Sequence, residues 1–418
     1  MTFSSHPLAK LTLLASVAAL YACGGGGGGS TTPVAPGAST GTATTTGSAT
    51  GILTDAAIQG VSYTTSSGVT GVTGANGSYS YNAGDTVTFK LGAVTLGTVT
   101  ANGIISPIDL AAGDANKYKN LLVLVQSLDS DGAPNNGITI PPAAAAALPA
   151  GLDMAEAVES TFASSIATAT TTSGSGGVVT SANANAHFLA QAMPLLAGNV
   201  YTFGSGGLLR FAANGEYLHG QVNPSEPWHT GVEYGTAVVD IADVHGFHLT
   251  STRTVDTNGD AGVSNDNSEC QRVVPVGEGL YAPNNGGDTA PCTFAAGNPV
   301  SLKKAANDPN GIVGVWAAGS ATAIKKSTIV FSPDGSFLLV DPSDLHPGVE
   351  AGTYTYNFST RAVTITSVLY DTNGSEGVGI GAGIVNSNAQ MVLNPDRMTA
   401  DVQFNNGNGG TTLYRISK

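Results

Sequence analysis

The chain has 418 residues, of which 41% are hydrophobic, only 11% are charged and 56 are glycine, and its formal net charge is −14. Charged residues usually make up ~25%, so this composition excludes a coiled coil or a Lys/Glu-rich bundle, while the apolar fraction is too high for a disordered chain. With 15 basic against 29 acidic residues it is unsuited to nucleic acid, because affinity for phosphates comes from Lys and Arg. Residues 1–22 have the order of a targeting segment: Lys10 supplies the positive charge, and Leu11 to Ala19 form an apolar run too short to span a bilayer.

Leu20-Tyr21-Ala22-Cys23 resembles the lipobox of bacterial lipoproteins. The resemblance implies that Cys23 is diacylated, that the chain is cut before it and that the new amine is acylated. Each buried CH₂ adds about 0.8 kcal/mol, so several acyl chains make a stable anchor. Gly24 in place of Asp implies delivery to the bacterial outer membrane, with the leaflet open. Residues 23–50 carry no charge and read as a flexible Gly/Ser/Thr tether. Its mean reach is roughly 30 Å by the Gly/Ser-linker rule.

Residues 51–110 alternate as half-buried strands do, in Tyr79/Tyr81 and Val87/Phe89/Leu91. Asn76-Gly77 is a hairpin signal, because both residues tolerate positive φ. The run Gly71 to Tyr81 followed by Gly84-Asp85-Thr86-Val87 resembles the carboxypeptidase-regulatory-like, or prealbumin-like, β-sandwich, which implies a spacer module.

Residues 111–195 change to a helical period. Tyr118, Leu121, Leu122, Val125 and Leu128 share one face; Met154, Val158, Phe162 and Ile166 recur every four residues; a third helix runs from about Ser181 to Met193. Pro141-Pro142 and Pro149 are expected to break the helices. This predicts a three-helix connector. The runs LLVLVQSLDSDGAPNNGI and ANAHFLAQAM resemble segments that follow this module in adhesin-like surface lipoproteins of Gram-negative bacteria.

The C-terminal half repeats itself. Phe211-(x)₃-Gly215-Glu216-Tyr217-Leu218 matches Phe331-(x)₃-Gly335-Ser336-Phe337-Leu338. His229 to Thr236 (HTGVEYGT) matches His346 to Thr353 (HPGVEAGT), and Asp256-Thr257-Asn258-Gly259 matches Asp371-Thr372-Asn373-Gly374. Each copy then reaches Gly-Val, at Gly262-Val263 and Gly377-Val378. The offsets of 120, 117 and 115 residues keep one order, so each copy reads as one unit, over 196–306 and 307–418. Short, evenly spaced strands predict an antiparallel meander with enough strands to close a barrel. Gly314-Val315-Trp316, the F-x-x-x-G hairpin and an arginine on the closing strand resemble lipocalin-like domains. Two tandem barrels and two halves of one larger sheet both fit this pattern, and tandem barrels are the preferred expectation. The fold class is thus mainly β: a β-sandwich, a helical connector and two barrel-like repeats.

Candidate chemistry is sparse. In an exported chain Cys270 and Cys292 are expected to form a disulfide that pins a long loop, worth roughly 3 kcal/mol. Asp256, Asn258 and Asp260, then Asp371, Asn373 and Glu376, then Asp129 and Asp131, collect oxygen ligands around turns. Calcium wants six to eight oxygens, so these are either weak calcium loops or plain Asx turns. Calcium is the one cofactor left open. His229 with Glu233, and His346 with Glu350, are too few to hold zinc, and a glutamate bonding a turn beside a glycine bulge accounts for them. Trp316 sits among Ile312, Val313 and Val315 and reads as core; Trp228, in a Pro-rich loop, reads as an exposed contact for a ligand. His187 reads as a packed or surface histidine. No G-x-S-x-G, P-loop or C-x-x-C occurs. The expectation is a non-catalytic binding or adhesion module, anchored to a membrane by lipid, for a protein, glycan or small apolar ligand. The alternatives are a carrier or sensor that uses its barrels, and a surface hydrolase.

Overall fold

The computed structural model describes residues 47–418 except 198, 204–205, 245, 260, 264–270, 277–278, 283–299, 375–376, 379–389, 404–409 and 417–418. The expected targeting segment, Cys23, most of the expected tether, Asp260, Glu376, and Cys270 and Cys292 with their expected disulfide lie outside the described residues. Those that are described form a mainly β protein in three parts: a sandwich, a set of helices and two closed barrels.

The sandwich uses β1 (Ala49–Leu53), β2 (Ile58–Gln59), β3 (Ser62–Thr65), β4 (Thr70–Val72), β5 (Ser78–Tyr81), β6 (Thr86–Leu91), β7 (Val94–Thr100) and β8 (Ile104–Ile105). One sheet has the order β5-β1-β8 and the other β4-β3-β6-β7. The alternation in Val87/Phe89/Leu91 and Tyr79/Tyr81 turns those side chains inward. There Tyr79 meets Phe89 edge-on at 5.2 Å. Asn76-Gly77 does form a turn, with Gly77 at φ 72°. It joins strands of different sheets, however, so it is a corner and not a hairpin. The reason is β1: Leu53 donates its amide to the Gly77 carbonyl at 2.9 Å and captures β5 for the other sheet.

Among the described residues, five α-helices replace the expected three: α1 (Pro107–Ala111), α2 (Ala115–Ser127), α3 (Pro142–Ala146), α4 (Glu159–Ser173) and α5 (Ser181–Leu196). A short β9 (Ile138–Thr139) pairs in parallel with β2. Pro142 starts α3 instead of breaking a helix, because the first helical position needs no N–H and favours the proline φ. Met154 and Val158 fall before α4. The Asp153 carboxylate accepts the Ala155 amide at 2.9 Å and folds that stretch as a turn, so the four-residue period becomes helical only from Phe162 onward. Asp114 caps α2 by accepting the Asn116 and Lys117 amides, both at 2.9 Å. The predicted face of α2 is buried, but so are Val123 and Leu124, since neighbours cover this helix on several sides.

The first barrel runs through β10 (Val200–Thr202), β11 (Gly207–Phe211), β12 (Glu216–Gln221), β13 (Gly231–Asp243), β14 (Gly246–Asp256), β15 (Gln271–Val276), β16 (Gly279–Ala282) and β17 (Val300–Lys304). The second runs through β18 (Gly314–Ala318), β19 (Thr328–Phe331), β20 (Ser336–Asp341), β21 (Gly348–Tyr356), β22 (Ala362–Asp371), β23 (Gln390–Leu393), β24 (Thr399–Gln403) and β25 (Gly410–Arg415). Each is closed in sequence order, last strand against first, so the repeats are tandem barrels and not one larger sheet. Closure leaves no strand edge open for pairing.

The two barrels pack through equivalent strands. Leu208, Leu218, Val232 and Tyr234 of the first meet Val330, Leu338, Val340, Val349 and Ala351 of the second in one apolar layer. This is the self-complementary arrangement of a two-fold dimer, made within one chain. Apolar residues of the sandwich, the helices and the first barrel form one continuous core, with Phe188 of α5 against Phe247 of β14 at 5.4 Å. The second barrel has its own core around Trp316, Phe331, Phe337 and Tyr354.

Candidate functional site

The repeated motif explains itself once strand alternation is applied. Val232 and Val349 point outward into the layer between the barrels. One residue on, Glu233 and Glu350 point inward and are fully buried. Each glutamate receives the amide of the Gly-Val pair of its own copy: Val263 donates to Glu233 at 2.9 Å and Val378 to Glu350 at 3.0 Å. The D-T-N-G loop is therefore folded back across the barrel wall. Its threonine clips it there, since Thr257 Oγ1 accepts the Val232 amide and Thr372 Oγ1 the Val349 amide, each at 2.9 Å.

Glycine is required at the carboxylate. Gly262 has φ 123° and Gly377 φ 89°, and a Cβ there would lie 1.7 Å and 1.9 Å from a glutamate oxygen. Two residues beyond each glutamate, at Gly235 and Gly352, the strand pairing shifts register as a bulge and the backbone approaches Thr252 and Ser367 too closely for a side chain. H-x-G-V-E-x-G-T together with D-T-N-G and G-V is thus a carboxylate-centred clamp.

The clamps differ in their inner partners. In the first barrel the Tyr217 hydroxyl donates to Glu233, and Asn258 donates its amide to His219 Nδ1 at 3.1 Å. Phe203 stacks on His219 at 5.6 Å. Burial pushes the His219 pKa down to about 4, so the ring is neutral at pH 7. In the second barrel Phe337 and Leu339 occupy the positions of Tyr217 and His219, and both polar side-chain atoms of buried Asn373 have no partner among the described residues.

The acidic loops spend their oxygens on their own turns. Asp256 accepts the Asn258 amide at 3.1 Å and pairs with Arg253. Asp371 accepts the Gly374 amide at 2.9 Å. Asp129 accepts the amides of Ala133 at 3.0 Å and Thr139 at 2.9 Å, while Asp131 accepts Ala133 and Asn136, both at 3.0 Å. Asn258 is buried beside His219. No group of three or more His, Cys, Asp or Glu side chains poised for a metal occurs among the described residues.

The histidines of the motif are not on the glutamate. His229 lies at the end of the β12–β13 loop, its Nδ1 3.1 Å from Glu226, and His346 is exposed at the equivalent place in the β20–β21 loop. At the tips, Trp228 is 65% exposed and Leu345 is 85% exposed. These loops are equivalent in the repeat (Pro224-Ser225-Glu226 against Pro342-Ser343-Asp344), so each copy lifts one large apolar side chain into solvent.

Trp316 is fully buried and donates its indole N–H to the Ile312 carbonyl at 2.9 Å. The Arg415 guanidinium lies 4.2 Å above its ring and donates to Asn307, Asp308, Gly311, Val313 and Arg397. The arginine on the closing strand thus packs over Trp316 and ties the segment from Asn307 to Val313 to the last strand of the second barrel. In the first barrel Tyr201 and Lys304 occupy the corresponding register.

Sequence reasoning missed the partners of His187. Its Nδ1 is 3.1 Å from buried Asp55, which also accepts from Gln126 at 2.7 Å, tying α5 and α2 to the end of β1. Burial raises the Asp55 pKa. It also missed buried Arg210, Tyr217 and His219. The comparison of Tyr217 with Phe337 and of His219 with Leu339 inside the repeat was the signal that the two clamps differ. No family model matches the chain, and no curated protein matches its sequence.

Proposed function

We propose that the chain is a non-catalytic surface-binding lipoprotein of the bacterial outer membrane, held by acylated Cys23 and touching its ligand with the loop tips of its barrels. The observation that supports this reading most is the repeated exposure of Trp228 and Leu345 on equivalent loops. Large apolar tips suit stacking on a sugar face or packing against a protein surface, and two linked sites raise avidity. Trp316, Phe331, Phe337 and Leu339 are buried in the core of the second barrel, and Tyr217, Phe211 and Phe247 in that of the first. Large side chains packed inside the barrels favour contact at the outer surface over a carrier that loads its barrels.

The test has two arms. Cells making the wild type and Cys23→Ser are labelled with radioactive palmitate and fractionated; label and outer-membrane recovery are expected for the wild type alone. Binding of the purified protein to immobilised glycans and matrix proteins is compared with Trp228→Ala, Leu345→Ala and the double variant. Each single change is expected to weaken binding and the double change to abolish it. Undiminished binding by the double variant would remove the loop tips from the mechanism.

A further inference from the structure

A cleft of ≈ 670 Å³ opens between the barrels, walled by Val200 of the first and Val315 and Ile416 of the second, with Arg210 and Lys304 in its lining. That volume is in the range of small-molecule sites. Arg210, on the outer face of β11, is only 6% exposed. It donates to two carbonyls of the β18–β19 loop, Ala323 at 2.9 Å and Ala321 at 2.5 Å. A guanidinium has five N–H groups. The other three have no acceptor among the described residues, and no carboxylate of the described residues pairs with this charge. Burial lowers its pKa to about 10, which leaves it charged at neutral pH.

Packing does not demand this arginine. The equivalent residue of the second repeat is Val330, which lies in the apolar layer between the barrels. The near two-fold symmetry is therefore broken by a buried positive charge at the edge of an open cleft. Glu216, the one carboxylate in the lining, is already committed to the Tyr234 hydroxyl and, at 2.9 Å, to the Asn214 amide. A buried cation needs a partner anion, and the structure leaves a cavity where one fits.

We propose that this inter-barrel cleft binds a small organic carboxylate, with its anionic end on Arg210 and its apolar body against Val200, Val315 and Ile416. Lys304 adds longer-range attraction, and Arg210 supplies directed, charge-assisted hydrogen bonds. The inference does not depend on the loop-tip reading, since it uses a different surface.

The test is calorimetric titration of the purified protein with octanoate and, separately, 1-octanol. Octanoate is expected to bind saturably and at least ~tenfold more tightly than the alcohol, the difference being the carboxylate. Arg210→Gln is expected to weaken octanoate at least ~tenfold. Because Arg210 also holds the β18–β19 loop, Ala306→Trp serves as a second variant. Ala306 is exposed and lines the cleft, so the indole is expected to fill the space and abolish binding with Tm unchanged. Equal affinity for octanoate and octanol, no saturation by octanoate, or undiminished binding by Arg210→Gln and Ala306→Trp would each overturn the proposal.

Discussion

The two barrels share a strand order and a clamp, yet they are furnished differently. The second keeps its clamp glutamate among Phe337 and Leu339 and closes one end with Arg415 over Trp316. The first surrounds its glutamate with Tyr217, His219 and Asn258, and has Tyr201 and Lys304 in the closing register. What the copies retain is backbone-directed: glycines at close approaches, a threonine clip and a glutamate capping one amide. What they vary is the side chain facing that clamp. The lesson is that a duplicated unit can hold its loop geometry fixed while the polarity of its interior drifts.

The contrast can be broken most forcefully at the closure of the second barrel. Trp316→Ala is expected to cost about 3–5 kcal/mol in denaturant unfolding, through cavity formation and loss of the surface beneath Arg415. The chain has two tryptophans, one in each barrel, so a Trp228→Phe background leaves Trp316 as a fluorescent reporter of the second barrel alone.

The next effect separates the barrels by pH. His219 has its pKa lowered from 6.5 to about 4, so between those values the unfolded state binds the extra proton. The stabilisation is complete above about pH 6.5 and is lost as pH falls toward 4, by on the order of 3 kcal/mol. His219→Leu, which installs the residue of the second barrel, is expected to flatten that part of the urea-midpoint profile. An unchanged pH slope in this variant would show that other groups carry the acid sensitivity.

Gly262→Ala and Gly377→Ala should each cost about 2–3 kcal/mol, combining a left-handed backbone with overpacking against a buried carboxylate. Similar losses at the two sites would mark the clamp as the common element. Tyr217→Phe, again converting the first barrel toward the second, is expected to cost about 1–2 kcal/mol, because it removes a buried hydrogen bond and takes that donor from Glu233. Its effect should shrink when Glu233 is already replaced, as a double-mutant cycle would register. Smallest of all, Trp228→Ala should change stability by less than about 0.5 kcal/mol, since its side chain is largely in solvent. A larger loss would mean that the loop tip is structural and not a contact surface.

Much of this architecture was legible in the sequence. The ordered repeats of H-x-G-V-E-x-G-T, D-T-N-G and G-V marked two equal units, and the period-two runs marked their strands. Trp316 read as core and Trp228 as exposed because their neighbours differ, Ile and Val for one and Pro and Ser for the other. Local signals failed where a distant strand or turn competed for the same backbone. Asn76-Gly77 became a corner because β1 takes β5. The period from Met154 became helical late because Asp153 folds a turn first.

Composition and alternation by themselves determined a β-rich chain with two like halves, since side-chain periodicity is a local property of the backbone. Tertiary structure alone decided that the halves close separately, that Val232 and Glu233 face opposite ways into an interface and a clamp, and that Arg210 is buried beside an open cleft. Those outcomes depend on which surfaces meet across more than a hundred residues, and no local pattern encodes such a meeting.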